Sequence, residues 1–179
     1  MKDVLLISES FIKNITNLSD NLSGKLLFPA IRESQEIGLR EILGDDLLDK
    51  LKSLVEENTI NDKSNQKYKE LLTQCQYYLA YQTTANVCIL TAVKIDNAGL
   101  QQVSDEKMNP VNINDSFAIK DYYIKRADFY CLRLQNYLIE NKKSFPELTN
   151  SDCNKIASNL HSSATCGLWL GGIRGKQIS

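Results

Sequence analysis

From Leu26 to Leu54 the chain reads LLFPAIRESQEIGLREILGDDLLDKLKSL, and this stretch leaves little choice of fold. Apolar residues fall at Leu22, Leu26, Leu27, Ala30, Ile31, Ile37 and Ile42, then at Leu47, Leu48, Leu51, Leu54 and Val55. Gaps of three and four residues are the period of a helix with one buried face, whereas a strand would need strict alternation. Gly44 closes the first run, and its freedom to take the left-handed conformation suits a helix end. Asp45 and Asp46 open the second, where carboxylates meet the positive end of a helix dipole. The spacing therefore predicts two amphipathic helices with a tight break between them. The first runs from near Ser23 to Leu43, bent by Pro29, and the second from Asp45 to about Glu57. Their apolar faces carry no catalytic residue type.

The rest of the chain extends the same theme. Residues 1–21 read as a Ser- and Asn-rich lead-in, with Ser19 or Asp20 placed to cap the first helix of the pair. After a polar break at Asn58–Asn65 comes the longest helical signal, Gln66 to about Ile95. Its apolar face carries Tyr68, Leu71, Leu72, Cys75, Leu79, Ala85, Ile89, Ala92 and Val93, on a rod of roughly 45 Å. Tyr77, Tyr78 and Tyr81 are additional aromatics, suited to the core or to a neighbouring subunit. Asp96–Asp115, DNAGLQQVSDEKMNPVNIND, is punctuated by Asn97, Gly99, Asn109 and Pro110. It reads as an extended loop or β-hairpin arm, and an interior loop of this length is usually functional. A last long helix, Ser116 to about Asn141, lines its apolar side with Phe117, Tyr123, Ile124, Ala127, Tyr130, Cys131, Leu134, Tyr137 and Leu138. The tail, Glu147–Ser179, ends CGLWLGGIRGKQIS and holds the only tryptophan, Trp169. It has too little apolar mass for its own core, so Trp169 is expected to dock on its own helices or on a neighbouring subunit. The expected fold is all-α: a helical bundle of about four main helices with a projecting loop or β-hairpin arm and an extended C-terminal tail. Residues 1–146 form the helical domain, including the arm at 96–115, and 147–179 form the extension.

Composition and motifs narrow the function. The chain's 179 residues suffice for one domain with a core, and a formal net charge of -1 lacks the basic excess of a nucleic-acid binder. The apolar run Val4–Ile7 is too short for a secretory leader, and no stretch approaches a membrane span. Synthesis and retention in a cytoplasm are expected, with the five cysteines reduced. Cys75, Cys88 and Cys131 lie in helical patterns as small hydrophobes. Gly172–Lys176, GIRGK, fails as a phosphate loop, because Leu170 stands where the first glycine is needed and Gln177 where Ser or Thr is needed. Cys153, His161 and Cys166 fit no common zinc spacing and lack a fourth ligand. No local pattern activates either thiol toward the single histidine. Asp45–Asp46 and Asp105–Glu106 are read as a helix start and a loop tip rather than as metal sites. Lys120, Lys125, Arg126 and Arg133, interleaved with tyrosines, are read as a solvated or inter-subunit face rather than a nucleic-acid contact. No catalytic residue, no cofactor and no metal is expected, and the chain is not expected to be an enzyme.

Four segments carry a family resemblance: LLFPAIRESQEIGLREILGDDLLDKL, QCQYYLAYQTTANVCILTAVKIDNAGLQQ, IKDYYIKRADFYCLRLQNYL and the closing CGLWLGGI. Each is a hydrophobic pattern of low specificity alone; their order is the more specific signal. In that order the chain resembles the head-tail connector (adaptor) proteins of tailed phages, in particular a group of small connectors in crAss-like and other gut Bacteroidetes phages. The resemblance implies a structural virion protein, made in the bacterial host cytoplasm and placed at the capsid-tail junction. It implies a ring of about twelve copies beneath the portal protein, extending the DNA channel and docking neighbouring connector or tail proteins. DNA would pass without sequence-specific binding, and no membrane is involved. The family offers no catalytic residues to carry over. Candidate interface residues are Gly99, Leu100, Gln101, Gln102 and Val103 in the arm, and Trp169, Leu170 and Ile173 in the tail. Two alternatives stand beside this: a tail-completion or stopper ring protein, and a cytoplasmic helical adaptor that receives a partner helix in a groove.

Overall fold

Serines begin the first two helices. Ser8 accepts a hydrogen bond from the Phe11 amide to open α1 (Glu9–Ile15), and Ser23 accepts one from Lys25 to open α2 (Gly24–Glu33). The computed structural model describes residues 4–96, 99–102 and 113–148. Helix α2 continues into a π-helical segment, Ser34–Leu39, and then α3 (Arg40–Leu43). Gly44 stops the run at φ 79°, ψ 169°, a conformation reserved for glycine, and α4 (Asp45–Glu56) follows with Asp45 and Asp46 in its first turn. Asn58, at φ 57°, turns the chain after α4. The longest pair is α5 (Gln66–Ala92) and α6 (Ile113–Glu140). Between them lies a β-hairpin of β1 (Val93–Asp96) and β2 (Gly99–Gln102), antiparallel, with Val93 opposite Gln102 and Ile95 opposite Leu100.

The all-α bundle with a projecting hairpin is thus the fold. Helix α5 is its axis: α2 and the π segment pack on it, α1 touches it, and α6 runs antiparallel along it. The direction of α6 follows from its contacts, since Tyr137 bonds the Lys67 carbonyl and Glu70, while Tyr130 stacks on Tyr77 and Tyr81. Leu27, Ile31, Leu39, Leu43, Leu47, Leu48 and Leu51 bury completely, joined by Leu71 and Leu79 of α5, Leu134 and Leu138 of α6, and Phe145. The C-terminal extension from residue 149 onward lies outside the described residues.

Several expectations need correction. Pro29 lies inside α2, which continues to Glu33, and a departure from α geometry not expected from the sequence comes at Ser34–Leu39. A π turn inserts one residue into the helical register. It lets Ser34 and Gln35 face inward with Leu39, and it lets Gly38 sit where Tyr78 presses against the backbone. Residues 1–21 are more than a polar lead-in, for Leu6, Ile7 and Ile12 are core residues. The Gln35 amide fastens this segment: its Nε2 donates to the Val4 carbonyl and its Oε1 accepts from the Leu6 amide, both at 2.9 Å. Gln76 Nε2 donates to the Leu6 carbonyl at 2.9 Å. The cap of α2 is Ser23, not Ser19 or Asp20. The long helix stops at Ala92 rather than Ile95, since Val93 and Ile95 alternate with Lys94 and Asp96 in strand period.

Candidate protein-interaction surfaces

Two apolar surfaces remain open once the core is closed. The first follows α6. Its inward series, Tyr123, Ala127, Leu134 and Leu138, is buried against α5. A second series at the same helical period, Ile119, Tyr122, Phe129, Leu132 and Ile139, faces away and is exposed, Phe129 to 61%. Arg126 lies over the Tyr122 ring with its Cζ 3.4 Å from the centroid, a cation–π contact that holds the guanidinium on the stripe. Phe129 meets Tyr130 edge to face at 5.3 Å, and Tyr130 stacks on Tyr77 and Tyr81, each at 5.3 Å. Phe129 is thereby joined to an aromatic stack that links α6 to α5. A pocket of about 390 Å³ opens at its lower end between Phe129, Leu132, Arg133, Asn136, Tyr137, Glu140 and Gln74.

The second surface is a groove of about 630 Å³ on α2 and the π segment, lined by Leu5, Phe28, Pro29, Arg32, Glu33, Glu36 and Ile37. Ile37 is 64% exposed and Phe28 52%. Burial alone would raise the Glu36 carboxyl, but hydrogen bonds from Lys52, Arg40 and Gln35 outweigh it and hold the group down at about 2. Lys52 and Arg40 each approach Glu36 to 2.6 Å, and Arg40 also pairs with Asp45. Glu36 is thus already compensated, whereas no cation pairs with the exposed Glu33 among the described residues.

Of the interface candidates named from sequence, Gly99, Leu100, Gln101 and Gln102 form β2, paired with β1. Val103, Trp169, Leu170 and Ile173 lie outside the described residues, as do Asp105, Glu106, Cys153, His161 and Cys166. The apolar assignments of Leu26, Ile37 and Phe117 are corrected, because all three side chains are exposed. Cys75 is fully buried, and Cys88 and Cys131 only partly. Burial raises all three thiols, Cys131 to about 11, so none is a ready nucleophile at neutral pH. Among the described residues no group of three His, Cys, Asp or Glu side chains is placed to share a metal ion, and no helix is long and apolar enough to cross a membrane. The outer α6 stripe was missed because α6 carries two apolar series at the same period, and only one of them was read as a face.

A family of unknown function, DUF6712, matches residues 39–158, well over half of the chain. The chain belongs to that family. The matched stretch runs from the end of the π segment through α6. It thus takes in the exposed α6 stripe and the arm, while every residue lining the α2 groove precedes it. No curated protein and no solved structure gives a significant match.

Proposed function

We propose that this DUF6712 chain is a structural subunit of the head-tail connector ring of a tailed phage, placed beneath the portal and joined below to further connector or tail proteins. The observation that carries the reading is the outer stripe of α6. A helix already packed along one side offers a second apolar series over most of its length, and such a surface calls for a protein partner. Head-to-tail contact between copies through two different patches closes a ring when the rotation per subunit divides the circle. The order of helical pair, long helix, β-hairpin arm and second long helix supports the reading. So does the near-neutral charge, since a channel through which DNA slides must not hold it tightly. The role assigned to the chain is shape and contact rather than chemistry.

Native mass across a concentration series tests this. The expected species is a closed ring of about twelve copies, formed alone or on addition of portal protein. Phe129→Asp should abolish the ring while leaving the circular dichroism spectrum intact. A chain that stays monomeric at every concentration and in the presence of portal would overturn the proposal.

A further inference from the structure

The groove on α2 and the π segment has a candidate occupant within the same chain. Its walls are apolar, with Phe28 and Ile37 exposed, and its volume of about 630 Å³ accommodates a large aromatic side chain with an aliphatic neighbour. Its rim carries Glu33, an anion without a cation partner among the described residues. The sequence Leu168-Trp169-Leu170-Gly171-Gly172-Ile173 supplies the only tryptophan beside aliphatic residues and small ones, and Arg174 and Lys176 follow at once. The apolar residues of the segment match the apolar walls, and the cations that follow can pair with Glu33 on a rim that also carries Arg32 and the compensated Glu36.

Chain length permits the contact. Leu148 is buried, and the neighbouring Glu147 accepts a hydrogen bond from Tyr68, so the tail departs beside the start of α5. The groove lies further along α5, where Asn86 bonds Ser34. Tyr68 to Asn86 covers about 27 Å of helix. Residues 149–168 span at most about 66 Å, which is ample. A tethered segment meets its own groove at an effective concentration in the millimolar range, well above that of a groove on another molecule in dilute solution. We propose that the segment Leu168–Ile173 docks in the α2–π groove of its own chain, with Trp169 as the apolar anchor and Arg174 and Lys176 beside Glu33. The contact is internal to one chain, so it stands or falls independently of ring formation.

Trp169 is its own reporter, because no other tryptophan contributes to the fluorescence. In the full-length chain its emission should be blue-shifted and poorly quenched by acrylamide, and both properties should be unchanged on dilution. Phe28→Asp and Ile37→Asp alter exposed side chains; each should red-shift the emission and raise quenching several-fold with helical circular dichroism unchanged. If either variant loses helicity, Glu33→Lys decides: a salt-sensitive rise in quenching supports the contact. Unchanged quenching in the folded groove variants overturns the proposal. Release of Trp169 by Phe129→Asp instead would move the tail to α6 and overturn it too. Protection that disappears on dilution would assign the tail to a neighbour's groove and likewise reject an internal contact.

Discussion

Helices α5 and α6 are nearly equal in length and lie side by side, yet they treat their apolar residues differently. In α5 the consecutive residues Tyr78, Leu79 and Ala80 are all buried, as are Thr83, Thr84 and Ala85. Successive residues project about 100° apart, so three in a row span about 200°, more than half of the helix circumference. This helix is walled in by α2, the π segment and α6. In α6, Tyr123, Ala127 and Leu134 are buried while Tyr122, Phe129 and Leu132 are exposed, so burial is confined to one side. Apolar content alone therefore does not say which surface is core. Helix α5 buries apolar residues on several sides, whereas α6 leaves one of its two apolar series exposed.

The sharpest way to break that comparison is a matched pair of truncations. Leu79→Ala in α5 removes a wholly buried side chain and should cost about 2–5 kcal/mol. Leu132→Ala in α6 removes one that is 40% exposed and should fall within about 0.5 kcal/mol of the parent. Urea denaturation of the monomer measures both. Equal losses would mean that the outer stripe of α6 is part of the fold rather than a contact surface.

A smaller effect probes how α5 is walled in. A Cβ at Gly38 would collide with Tyr78 Oη and come within 3.3 Å of its Cζ, and Tyr78 is itself buried, so relief requires a core side chain to shift. Gly38→Ala should cost about 1–3 kcal/mol. Adding Tyr78→Phe should recover part of that loss, because the oxygen makes the closest contact while the ring carbon remains. Additive effects in the double-mutant cycle would show that Gly38 is needed for some other reason.

Smaller still is Thr83. Thr84 turns its hydroxyl to the Ala80 carbonyl at 2.8 Å, but the buried Thr83 hydroxyl has no partner among the described residues. Thr83→Val keeps the shape and removes the unpaired group, so the variant should gain up to about 1 kcal/mol in the same urea assay. A loss of stability instead would mean that the hydroxyl is satisfied.

How much of this was legible follows from what each feature depends on. The period of Leu47, Leu48, Leu51 and Leu54 and the break at Gly44 are local signals, and both appear in the fold. The π segment was not legible: SQEIGL has no helix-breaking proline, and the close approach of Gly38 to Tyr78, forty residues further along the chain, is a tertiary contact that no local signal carries. The core role of Leu6 was hidden for the same reason, since its backbone is paired by the side chains of Gln35 and Gln76. Tyr77, Tyr78 and Tyr81 were recognised as aromatics with two destinations. Structure divides them: Tyr78 lies under Gly38, while Tyr77 and Tyr81 support Tyr130. The outer face of α6 shares its period with the inner one, and only a folded partner on one side distinguishes them.

The least expensive test concerns the polar tie between the π segment and α4. Glu36 bridges Arg40 and Lys52, and its carboxyl sits at about 2 against an ordinary value of 4.5. A folded-state value below the unfolded one means that ionised Glu36 favours the fold. That contribution is present above pH 4.5 and is lost as pH falls toward 2. The Glu36 side chain is about a third exposed, so water and salt screen the bridge and the effect is smaller than the shift alone implies. Glu36→Gln should therefore be modestly less stable than the parent at neutral pH, with the gap closing as pH drops through that window and narrowing in high salt. Denaturation curves at several pH values measure it. A gap that persisted unchanged to low pH would assign the loss to packing around the π segment, not to the charge of Glu36.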